Sequence, residues 1–151
     1  MAKSMALAGA AIAATLAMAM SAVSVVAQDL ISQRQAYMKS AARAAKTGSD
    51  MIRGTIPFNA KKAAVAMAVI AAGSGPYAKM FPPGSSLGET RASPKIFQNP
   101  AAFEARAKKL GDDATAAQKA AANGPEAFKA AFDEVGKNCV GCHDEFRALR
   151  R

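Results

Sequence analysis

From residue 29 onward, apolar positions recur at intervals of three and four, the period of a helix with one buried face. In the first such stretch Leu30, Arg34, Met38, Ala41 and Ala45 share a face, Asp29 is a capping residue, and the pattern continues through Met51 and Ile52 with Gly48 as a weak point. Gly54 and Pro57 stop it, leaving residues 55–58 as a turn. A second helix is predicted from Asn59, a good cap ahead of an alanine-rich run, and Gly73-Ser74-Gly75-Pro76 is expected to end it. Residues 76–94 then read as a long irregular connection with Pro82-Pro83-Gly84-Ser85-Ser86 in its middle and Tyr77, Met80 and Phe81 as apolar anchors.

Asn99 caps the third helix and Pro100 suits its first turn. Its core-facing seam is Phe103, Ala107, Leu110, Ala114, Ala117 and Ala121, closed by Asn123-Gly124. Pro125-Glu126 opens the last helix, whose stripe is Phe128, Phe132, Val135, Cys139, Cys142, Phe146 and Leu149. The result is four helices, with no strand pattern and no internal repeat. Alanine stripes let helices approach closely, so the economical architecture is all-α, an antiparallel four-helix bundle. So many small side chains leave volume for a prosthetic group to fill.

The segment ahead of this pattern changes the picture of where the chain works. Lys3 precedes a charge-free run from Met5 to Ala27, and Val25 and Ala27 are small residues placed as at a cleavage site. Residues 1–27 therefore read as a cleaved signal peptide, and 28–151 as one exported, periplasmic domain. An uncleaved anchor is the alternative, since a run of that length could span a bilayer. The whole chain is basic, with formal net charge +9. Its lysines and arginines are scattered along helices rather than clustered among aromatics, which argues against nucleic acid and for solvated helix faces; a role for the charge would be to steer an acidic partner protein or to offset acidic cofactor groups.

The candidate chemistry is concentrated in Cys139-Val140-Gly141-Cys142-His143, which holds both cysteines and the one histidine of the chain. Helical spacing puts the two thiols and the imidazole on one side, the arrangement of a covalent haem site: sulfurs on the porphyrin edge, imidazole on iron. Three rivals fit less well. A redox Cys-x-x-Cys follows a strand and opens a helix, which this one does not. Zinc wants four nitrogen or sulfur ligands, and no fourth cysteine or histidine exists. A short disulfide beside a surface histidine needs three scarce residues to meet by accident. Asp112-Asp113 and Asp133-Glu134 read as solvated carboxylates, and Tyr37 as a helix-interface residue.

A late attachment motif behind four helical segments and a signal peptide resembles the class II cytochromes c, comprising cytochrome c prime and its low-spin relatives. Class I members carry the motif near the N-terminus. The resemblance covers the mature chain and rests also on Arg34-Gln35-Ala36-Tyr37-Met38, on Thr55-Ile56-Pro57-Phe58 and on Ser93-Pro94-Lys95-Ile96-Phe97. It implies one covalent haem c on Cys139 and Cys142, with His143 as proximal iron ligand. It also implies Arg34 and Gln35 against the haem near a propionate, Thr90 and Glu89 from the long loop near the haem, and homodimers through the early helices.

Met38 falls where this family places its distal residue. There a methionine is the sixth iron ligand in low-spin members, or an apolar wall beside five-coordinate iron in cytochrome c prime, and both outcomes fit the sequence. A thioether ligand raises the reduction potential and closes the site to small molecules; an unligated methionine is a core filler. The expected function is a periplasmic electron carrier serving redox partner proteins. The alternative is a five-coordinate protein binding nitric oxide or carbon monoxide. No enzyme is expected: with His143 proximal, no second histidine remains as a distal acid or base.

Overall fold

The computed structural model describes residues 29–86 and 88–148; the expected signal peptide and Leu149 lie outside the described residues. Helix α1 occupies residues 29–52, followed by α2 (Ala60–Ala78), a short α3 (Lys95–Gln98), α4 (Pro100–Ala120) and α5 (Pro125–Phe146). The four long helices form an antiparallel four-helix bundle, as the periodicity predicts. Among the described residues there is no strand, and no helix is long and apolar enough to cross a membrane.

The helix starts follow local chemistry. The Asn59 side-chain oxygen accepts from the Lys62 backbone N–H at 2.9 Å and that of Asn99 from Ala102 at 3.2 Å, each satisfying a donor the helix itself leaves open. Between α4 and α5 a 3-10 turn (Ala121–Asn123) runs into Gly124, whose φ of 97° reverses the chain at no cost in side-chain strain.

The main core is built where the alanine stripes meet. Ala63, Ala66, Met67 and Ile70 of α2 pack with Ala114 and Ala117 of α4, and these with Met51 and Ala44 of α1 and Phe128 and Val135 of α5. Small side chains bring α2 and α4 together, and Phe128, fully buried, fills the space they leave. Burial of such a side chain stabilises by roughly 1.5–3 kcal/mol.

Two helix-breaking signals act otherwise than expected. Gly48 does not weaken α1. It is buried beneath the Phe132 ring, where a methyl group would come within 2.7 Å of Cε2. Nor does Gly73-Ser74-Gly75-Pro76 end the second helix: α2 runs through it to Ala78, so the irregular connection starts three residues later than predicted. Gly73 is the notch that admits the Tyr37 ring, and Ser74 is buried with its hydroxyl donating to the Ala71 carbonyl at 3.0 Å. Pro76 leaves the Ala72 carbonyl without its helical donor, but both residues are exposed and water can serve.

A second, aromatic cluster closes one end of the bundle. Ile96, Phe103 and Phe146 are its buried members, with Tyr77, Phe81 and Phe97 packed against them. Phe81 stands edge-on to Phe103 (centroids 4.8 Å apart) and to Tyr77 (5.2 Å), and Phe103 edge-on to Phe146 (5.2 Å). α3, which the periodicity does not announce, exists to bury Ile96 here. The end of the chain is tied across this cluster: Ser93 N–H donates to the Phe146 carbonyl (2.9 Å) and Ala148 N–H to that of Arg91 (2.8 Å).

Candidate functional site

α1, α5 and the segment between α2 and α3 enclose a cavity of about 620 Å³ at the aromatic end of the bundle. Six of the seven sequence-predicted site residues line it: Arg34, Gln35, Met38, Thr90, Cys142 and His143. The seventh, Cys139, lies one helical turn before Cys142, half-buried against the main core. Residues separated by three and four positions face one way on a helix, which is why single stretches of α1 and α5 each supply several lining groups.

On α5, burial pushes both thiols upward from their ordinary pKa. They are the reverse of the low-pKa thiolate that a redox Cys-x-x-Cys needs. His143 moves down, first through burial and then through the nearby Arg147 and Arg91 charges, with Asp144 opposing. The neutral imidazole is therefore favoured, and that is the form that ligates a metal. Among the described residues no group of three histidine, cysteine or acidic side chains is placed to hold a metal ion by itself.

On α1, Arg34 is buried, only 4% exposed, and its guanidinium reaches the loop. Its Nε donates to the Met80 carbonyl (2.8 Å), Nη1 to the Ser85 carbonyl (2.9 Å), and Nη2 to Met80 O and Ser85 Oγ. Gln35 Nε2 approaches the Glu89 carbonyl at 3.5 Å. Thr90 Oγ1 accepts from the Ala92 N–H at 3.1 Å, turning the loop into the cavity wall. Tyr37, one position from Met38, faces α2 instead: its hydroxyl donates to the Ile70 carbonyl (3.1 Å) and its ring lies 5.0 Å from Tyr77. Phe146 lines the cavity, whereas Phe128 belongs to the main core.

Several lining groups escaped the sequence reading. Lys39, Arg91 and Arg147 join Arg34 as cations of the cavity, with Glu89 the one carboxylate among its lining residues. Arg147 stands four residues after His143, a spacing that could have found it. Arg91 is brought in by the pairing of residues 91–93 with the chain end, which no periodicity announces. Asp112, Asp133 and Glu134 are solvated ion-pair partners, as expected, of Lys108 (i, i+4), Lys129 (i, i+4) and Lys137 (i, i+3). Asp113, expected to be solvated too, pairs with Lys109 but its side chain is only 21% exposed, because it also accepts from the Asn138 amide of α5.

Comparison with known proteins agrees with this geometry. Residues 29–147 match the family described as Cytochrome C'. Cytochrome c' of Rhodopseudomonas palustris is 35% identical over 131 residues, spanning 86% of this chain and 89% of the relative. Its solved structure superposes with a TM-score of 0.77 over 82% of this chain and 98% of that one. Cytochrome c-556 of Agrobacterium tumefaciens is 27% identical over 117 residues, 78% of this chain and 95% of the relative. A ferrous variant of cytochrome c' from Alcaligenes xylosoxidans, solved with nitric oxide bound, is 25% identical with a TM-score of 0.74, covering 82% of this chain and 97% of that one.

The family binds one covalently attached haem c. The cavity suits such a group: its volume is that of a ligand pocket. Ile31, Ile96, Phe103 and Phe146 offer it apolar walls, and four cations face a single carboxylate, matching a flat apolar ring with acidic groups on one edge. The chain belongs to the cytochrome c' family of c-type haem proteins.

Proposed function

We propose that the protein carries single electrons between periplasmic redox partners. In this reading Cys139 and Cys142 hold the haem as thioethers, His143 is the proximal iron ligand and Met38 the sixth. One observation carries it: Met38 of α1 and His143 of α5 line the same cavity from two different helices. The haem iron supplies the one-electron couple. The chain's part is to bury it, to present a neutral imidazole and a soft thioether, and to offset propionate charge with cations at the cavity. Arg34, Gln35 and Thr90 belong to that surrounding wall. The charge-free run after Lys3 supports export, and the basic balance supports docking of an acidic partner.

Visible spectra of the purified holoprotein, oxidised and reduced, with and without carbon monoxide, test the reading. A low-spin spectrum that the gas leaves unchanged is expected. In that case Met38→Ala should become high-spin and gas-reactive. A high-spin wild-type spectrum that responds to the gas overturns methionine ligation.

The second reading is a five-coordinate protein that binds nitric oxide or carbon monoxide, with Met38 as packing. The nitric oxide complex of the Alcaligenes relative favours it. The same spectra decide between the two.

A further inference from the structure

We propose that Arg34 is a positioning residue that latches the turn at residues 80–85 against α1, and so sets how easily small molecules reach the Met38 side of the cavity. The inference rests on the haem reading above for what the cavity holds, and on the apoprotein geometry for the latch itself. Arg34 sits one helical turn before Met38, and both line the cavity. The guanidinium makes four hydrogen bonds, and all of them go to two residues of the turn, Met80 and Ser85. Its carbon also lies 4.0 Å from the centre of the Phe81 ring, itself a wall of the cavity.

The clasp is closed from both sides. Ser85 is only 3% exposed, its N–H donates to the Pro82 carbonyl at 3.1 Å, and Gly84 takes a φ of 82° that lets the turn present two carbonyls five residues apart to one side chain. A planar fork fits that pair of acceptors, while a lysine ammonium reaches them only as a point charge. No ion pair among the described residues includes Arg34, so carbonyl dipoles, a hydroxyl and a ring face stabilise the buried cation. One guanidinium serves all four bonds, so replacing Arg34 disrupts them together, whereas replacing Ser85 by alanine removes only the hydroxyl acceptor.

The test compares holoprotein carrying Arg34→Lys, Ser85→Ala and both substitutions with wild type, by hydrogen exchange of the backbone amides of Met80, Phe81, Gly84, Ser85 and Ser86 and of α4 and α5. Arg34→Lys should speed exchange in the turn by roughly tenfold or more and leave the helices protected. Ser85→Ala should give part of that effect, and the double variant no more than Arg34→Lys alone, the signature of a shared contact. In a Met38→Ala background, where no thioether competes, the carbon monoxide association rate should rise along with turn exchange.

Wild-type exchange in the turn of Arg34→Lys, additive effects of the two substitutions, or a uniform loss of protection across all helices would each overturn the latch. Faster turn exchange with an unchanged gas rate overturns its control of access. Haem staining after denaturing electrophoresis is a separate arm. If the wild-type chain carries no covalent haem the functional reading fails, while the exchange comparison still decides the latch.

Discussion

Asn138, one residue before Cys139 and only 5% exposed, donates its side-chain amide across the helix interface to the Asp113 carboxylate of α4. Asp113 also accepts from Lys109 Nζ at 2.7 Å, and the Asn138 amide nitrogen approaches its own helix at the Glu134 carbonyl, 3.3 Å away. A polar tie inside a largely apolar interface allows one axial register of α5 against α4. That register is what turns Cys142 and His143 toward the cavity.

Removing either partner breaks a hydrogen bond to a charged group, although Asp113 keeps Lys109 and Asn138 keeps the Glu134 carbonyl. Asn138→Ala and Asp113→Ala should each cost about 1–3 kcal/mol. The double variant should cost less than the two together, because both changes remove the same bond. Urea unfolding of the four proteins measures this, and strict additivity would show that the two residues do not act as a pair.

Two neighbouring glycines of α2 should respond in opposite directions to alanine. On propensity alone each change gains up to about 1 kcal/mol in a helix. At Gly75 nothing lies within 4 Å of the added methyl, so Gly75→Ala should stabilise. At Gly73 the methyl meets the Tyr37 ring, which is pinned by its bond to the Ile70 carbonyl and by Tyr77. Overpacking costs of about 1–3 kcal/mol outweigh the propensity gain there, so Gly73→Ala should destabilise. Thermal unfolding of the two variants gives the signs.

The two tyrosines set an alkaline limit. Burial is the first cause that pushes both Tyr37 and Tyr77 up to about 12, from an ordinary value of 10.0. The folded state thus holds its phenolic protons where the unfolded chain releases them. Their contribution to stability is whole below pH 10 and falls as pH rises from there toward 12. Urea midpoints taken through this range should decline, and Tyr37→Phe should shallow the decline.

Cys139→Ser with Cys142→Ser should abolish covalent haem, read by haem staining after denaturing electrophoresis. Each single variant should keep one thioether and stain. A stained double variant would remove both cysteines from the attachment.

Where the sequence could be read, local chemistry decides the outcome. Asn59, Asn99-Pro100 and Gly124-Pro125 mark helix starts because caps and ring constraints act over three or four residues. Cys142 and His143 were legible for the same reason, in a five-residue motif on one helix, whereas Arg34, Gln35 and Met38 were placed at the site by the resemblance to the class II cytochromes c and not by spacing. Gly73 misled because glycine as a breaker and glycine as a notch look alike until the Tyr37 ring is in view. Ser85, Asn138, Arg91 and α3 were hidden because their partners are brought together by packing across the fold, and a one-dimensional pattern carries no trace of such pairings.

The tie between residues 91–93 and 146–148 carries a consequence for biogenesis. The Arg91 guanidinium and backbone both bond to Ala148, 57 positions further along the chain. A polypeptide that emerges N-terminus first cannot seal this wall until almost every residue in the described chain is available. Until then the cavity stays open on one side, so a bulky planar guest could enter sideways before the last few residues fasten behind it.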